Sequence, residues 1–94
     1  MPRAIWQDIV LAESNKTVVV EDNHYFPPES VRMEYFQPSA QTSMCSWKGK
    51  ANYFDIVVNG QVNRDAAWVY KNPYPEAGQI RNRIAFWRGV RVEA

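Results

Sequence analysis

Cys45, Trp47 and Lys48 bring a thiol, an indole and an ammonium together in the run Thr42-Ser43-Met44-Cys45-Ser46-Trp47-Lys48-Gly49-Lys50-Ala51-Asn52-Tyr53. A thiol is a nucleophile only as the thiolate, which a neighbouring cation favours, and Lys48 or His24 could supply that cation. The same thiol also reads as a small buried hydrophobe, since free cysteine is among the most buried residue types. Trp47 and Lys48 can flank a ligand, the ring by stacking and the ammonium by pairing with an anionic group. They can equally form a core tryptophan with a lysine whose stem lies along apolar surface.

Trp68 and Tyr70 alternate on one face of a strand, and Tyr53 joins them from its neighbour, giving an aromatic wall. Tyrosine hydroxyls need partners when buried, so Tyr25, Glu29 and Lys48 near such a wall would make a partly polar cavity. Glu29 follows two prolines and either caps a turn or points into that cavity. His24 reads as a residue at a strand entrance, or as a base. The candidate ligand-binding set is therefore Trp47, Lys48, Tyr53, Trp68, Tyr70, Tyr25 and Glu29, with Cys45 as the candidate catalytic residue.

The rest of the chain must position these groups. It has 94 residues, enough for a single domain spanning 1–94 with one core. Hydrophobic residues make up 46% and charged residues 22%, a globular rather than a disordered balance. The net charge of +1 leaves too few cations for the phosphate contacts that dominate specific nucleic-acid binding. Arg81, Arg83, Arg88 and Arg91 form the one local basic excess and read as a solvated edge or an anion site.

One cysteine excludes an intramolecular disulfide, and Cys45 with His24 cannot make a four-ligand zinc site, so no metal or cofactor is expected. The N-terminal residues lack the apolar run of a secretory signal, and no stretch approaches the roughly 20 apolar residues of a membrane span. A cytoplasmic location is the expectation, as a monomer or homodimer.

Short segments rich in β-branched and aromatic residues alternate with turn residues, which predicts a mainly β protein. Strands are expected over Ile9–Ala12, Thr17–Glu21, His24–Phe26, Val31–Phe36, Ile84–Trp87 and Val90–Val92. Asp22-Asn23 is the expected turn before His24. Pro27–Ser30 and Glu76–Asn82 can each form a short helical turn. Gln37-Pro38-Ser39 is expected to end a strand and to open an irregular stretch over residues 39–49. Asn59-Gly60 favours a type I′ turn between Ala51–Val58 and Gln61–Tyr70, setting Val57 opposite Val62 and Asp55 opposite Arg64.

Tyr25-Phe26-Pro27 with Glu29, Thr42, Cys45, Lys48-Gly49, Ala51 with Tyr53, Ala67-Trp68-Tyr70 with Pro73, and Ala85-Phe86 together resemble the bacterial domain of unknown function 427 family over residues 4–92. The resemblance implies a twisted β-sheet domain of the β-tent type. Many proteins on that fold hold zinc with two cysteine pairs, a feature that a chain with one cysteine does not share. A nucleotidyltransferase-like label on the family implies nucleotide chemistry, which needs carboxylates around Mg²⁺ and a phosphate cradle. Here the acids are scattered, Asp55 has an Arg partner in the expected register, and no Gly-rich loop is present.

These residues favour a small domain that binds an unidentified small molecule, anionic or aromatic, in an aromatic-lined pocket. Two alternatives come from other classes: an enzyme using Cys45 or a Tyr, and a protein–protein interaction module.

Overall fold

The computed structural model describes residues 1–94 and has three antiparallel sheets. β1 (Arg3–Trp6), β2 (Ile9–Glu13) and β9 (Arg91–Glu93) form one sheet in the order β2-β1-β9; β3 (Val18–Val20) and β4 (Asn23–Tyr25) form a small hairpin. β5 (Phe36–Cys45), β6 (Gly49–Val58), β7 (Gln61–Val69) and β8 (Ile84–Phe86) follow one another in the third. Single 3-10 segments at Pro28–Ser30, Met33–Tyr35 and Pro75–Ile80 link the strands. The protein is thus mainly β, and it contains no helix long and apolar enough to cross a membrane.

Strands β6, β7 and β8 of the large sheet bury apolar residues on both faces, and strand alternation sends neighbouring residues into two different cores, whereas β5 is mostly exposed. Val69, Ile84, Phe86 and Ile56 face the larger core with Leu11, Phe26 and Phe36. Tyr70, Ala85 and Ala51 face a second core with Tyr25, Ala77, Ile80 and Val20. Tyr25 and Phe26, adjacent in sequence and both fully buried, divide between the two. A lone antiparallel bridge from Phe26 to Ile84 carries the β3–β4 hairpin onto the edge of the large sheet.

Asn59 (φ 50°) and Gly60 (φ 79°) form the expected tight turn, and Val57 pairs with Val62. Beyond them the register breaks: Ile56 pairs with Asn63, but Phe54 pairs with Ala67. The extra residues of β7 form a bulge at Asp65, whose φ is 56°. The Asp55 carboxylate accepts the Asp65 backbone N–H at 2.9 Å and lies 3.6 Å from the Arg64 guanidinium. Asp55 and Arg64 are therefore ion-paired as expected, but across a bulge rather than as direct partners. The break shifts pairing by two residues, so the paired residues on either side of the bulge keep their faces and Tyr53 lies directly opposite Trp68.

Several expected boundaries are corrected. Val31 makes only a bridge to Ala12, with the Arg32 N–H bonded to the Leu11 carbonyl, and the chain then turns through Met33–Tyr35 before entering β5. Pro38 does not end a strand, because β5 lies at the edge of its sheet, where a missing N–H can face outward. The local cost is a bulge between Pro38 and Thr42, at which Ser39 donates its hydroxyl to Asp65 at 2.5 Å. Residues 39–45 are therefore strand, and only Ser46–Lys48 remain as the β5–β6 turn. Arg3–Trp6, not expected as a strand, is the centre of the first sheet. The β3–β4 turn lies at Glu21-Asp22, with φ values of 53° and 65°, one residue earlier than expected, because Val20 pairs with Asn23.

Candidate functional site

The β5–β6 and β3–β4 turns meet above the second core. Gly49 shapes the first, because its φ of 103° suits only glycine. The Tyr74 N–H in turn bonds the Lys48 carbonyl at 3.0 Å. The Lys48 side chain points inward, and the residue is only 7% exposed.

The Lys48 ammonium lies 5.6 Å from the centre of the Trp47 ring and 5.5 Å from that of Tyr70, within range of attraction to both π faces. Its charge is paired with the Glu21 carboxylate, which reaches over from the opposing turn. The second carboxylate oxygen accepts the Trp47 indole N–H at 3.5 Å. The two partners differ sharply in freedom: the Lys48 side chain is 9% exposed and the Glu21 side chain 54%.

The hydrogen bond to Lys48, and then its charge, holds the Glu21 carboxyl below the ordinary carboxylate range. Burial opposes the charged form of Lys48, but the hydrogen bond to Glu21, the charges that Tyr25 and Tyr70 carry once they ionise at high pH, and the Glu21 charge outweigh it and raise its pKa. Burial also raises the pKa values of Tyr25 and Tyr70, against the opposing effect of the Lys48 charge. The centre at neutral pH is one ammonium, one exposed carboxylate and two neutral phenols.

From this centre the aromatic cluster continues across the sheet. Trp68 donates its indole N–H to the Tyr25 hydroxyl at 3.1 Å and meets that ring edge-on at 6.2 Å. Trp68 then packs against Trp87 at 5.6 Å, and Tyr53 against Trp87 at 6.3 Å. Tyr53 also exchanges a hydrogen bond with Ser43 at 2.8 Å. Trp87 is 42% exposed, with its N–H tied to the Asp65 carbonyl and Arg88 stacked 4.6 Å from its ring centre.

Six of the seven expected ligand-binding residues, Tyr25, Trp47, Lys48, Tyr53, Trp68 and Tyr70, thus belong to one cluster. Glu29 does not join them; it is exposed on the Pro28–Ser30 turn. Cys45 is half-buried against the cluster, and no hydrogen bond links its thiol to a base. His24 bonds Thr17 at 2.9 Å instead. The aromatic groups are packed as a core, and no cavity opens among them. No three His, Cys, Asp or Glu side chains converge anywhere in the fold.

Glu21 and Trp87 were not among the expected residues. The acid pair Glu21-Asp22 followed by Asn23 is a turn-like signal that could have marked the first, whereas Trp87 reads in sequence as one more strand aromatic. No curated protein matches the sequence. The model of the family described as "Domain of unknown function (DUF427)" matches residues 2–94, and the chain belongs to that family.

Proposed function

We propose that this protein is a binding module for a small molecule carrying an anionic group, which it takes up at Lys48. One observation carries the reading: a buried, fixed ammonium whose only carboxylate partner is an exposed side chain on a two-residue turn. A cation already desolvated by Trp47 and Tyr70 attracts an anion more strongly than a surface lysine does, because little water screens it. The adjacent rings offer a flat apolar wall for the rest of such a molecule. In this reading the β-tent architecture implied by the family is the frame, and the closed cluster is the unliganded state.

Ligand-detected NMR against a panel of anionic, neutral and cationic aromatic fragments tests the proposal. Anionic fragments should bind the wild-type chain and lose binding in Lys48→Met. Hits that are neutral or cationic, or that bind Lys48→Met equally well, would overturn it.

A further inference from the structure

We infer that Glu21 is a resident mimic of the ligand, and that the group recognised at Lys48 is a carboxylate, which binds by displacing Glu21. This rests on the anion-binding reading above and adds the ligand class and the means of entry.

The two oxygens of Glu21 mark two donor positions, a close one at the Lys48 ammonium for Oε1 and a longer one, at 3.5 Å, at the Trp47 indole N–H for Oε2. One cation and one neutral N–H, both aimed at a planar pair of oxygens, match a carboxylate monoanion. A phosphate brings a third oxygen and close to a second negative charge, whereas Lys48 is the one cation that pairs with the Glu21 carboxylate.

Displacement is favoured by the way Glu21 is held. Glu21 and Asp22 occupy both central positions of a tight turn with positive φ, where Gly, Asn and Asp are preferred and a longer side chain such as that of Glu21 is strained. β3 and β4 have three residues each, and Val19 on that hairpin is 55% exposed. Glu21 is thus tied down by its contacts with Lys48 and Trp47 more than by packing. A ligand carboxylate that takes over both donors releases this side chain to water, while Lys48 stays paired throughout. The apparent affinity of the wild type is then reduced by the fraction of molecules in which Glu21 occupies the seat.

The test compares wild type, Glu21→Gln, Lys48→Met and Trp47→Phe, using phenylacetate and phenyl phosphate as probes and amide chemical shifts to confirm that each variant is folded. Glu21→Gln should bind phenylacetate at least about fivefold more tightly than wild type, as removal of an internal competitor requires. Phenylacetate should bind more tightly than phenyl phosphate in Glu21→Gln, and Trp47→Phe, which keeps a ring but loses the N–H, should lose that preference. Equal or weaker phenylacetate binding by Glu21→Gln overturns the displacement, even if Lys48→Met shows that the lysine is needed. Preference for phenyl phosphate overturns the carboxylate assignment. Binding that persists in Lys48→Met, or no saturable binding of either probe to Glu21→Gln, overturns both the mimic and the reading beneath it.

Discussion

Trp68 donates its indole N–H to the hydroxyl of the fully buried Tyr25 at 3.1 Å, joining the middle of the large sheet to the β3–β4 hairpin that carries Glu21. The bond links the stability of the second core to the position of the carboxylate over Lys48. Tyr25→Phe keeps the ring and removes the acceptor, so it should destabilise the fold by about 1–2 kcal/mol in urea denaturation. It should also broaden the amide signals of Glu21 and Asp22. An unchanged midpoint with unchanged signals would show that the hairpin is held without this bond.

Gly49→Ala should cost about 1–2 kcal/mol, because alanine at a φ of 103° is strained. Gly60→Ala, at a φ of 79° with open space around it, should cost about 1 kcal/mol. Only the first substitution lies next to Lys48, so it alone should weaken ligand binding. Equal effects of both on binding would contradict the role assigned to the β5–β6 turn.

The acid limb of stability should depend on Glu21. Its folded pKa is lowered by Lys48, so its contribution is present above the unfolded carboxyl value of about 4.3 and is lost as pH falls through the folded value. Lys48, Tyr25 and Tyr70 have raised pKa values, so their contribution is present below the unfolded values near 10 and is lost as pH rises through the folded ones. Glu93 on β9, lowered by Arg91 and Arg3, adds to the acid limb independently. Denaturation followed against pH should show a shallower acid limb in Glu21→Gln than in wild type, with the Glu93 part remaining. Superimposable acid limbs would show that the ion pair does not distinguish folded from unfolded chain.

Cys45→Ser should leave phenylacetate binding within about twofold of wild type, since the thiol is no part of the two-donor seat and serves as packing. A tenfold loss of affinity, corresponding to about 1.4 kcal/mol, would return the thiol to the site.

The sequence revealed those features whose signal is local. Asn59-Gly60 announces its hairpin through backbone preference alone, and the alternation of Trp68 with Tyr70 places both on one face whatever lies beyond. Val31–Phe36 shows where such signals fail: the β-branched and aromatic residues suggest a strand, but Val31 finds a partner only in Ala12 and the chain must turn to reach β5. Pro38 misleads in the opposite direction, because its effect depends on being at a sheet edge, which is a tertiary fact. Most of the site was legible because aromatic residues on one face of a hairpin must pack together. Glu21 was not, since its approach to Lys48 requires two turns distant in sequence to meet.

Chemical-shift mapping during a phenylacetate titration tests the central claim most directly. The account predicts saturable shifts concentrated at Glu21, Tyr25, Cys45–Gly49 and Tyr70, with a large movement of the Trp47 indole N–H and none of these changes in Lys48→Met. Shifts centred on Trp87 and Arg88, or a Trp47 indole signal that does not move at saturation, would contradict it.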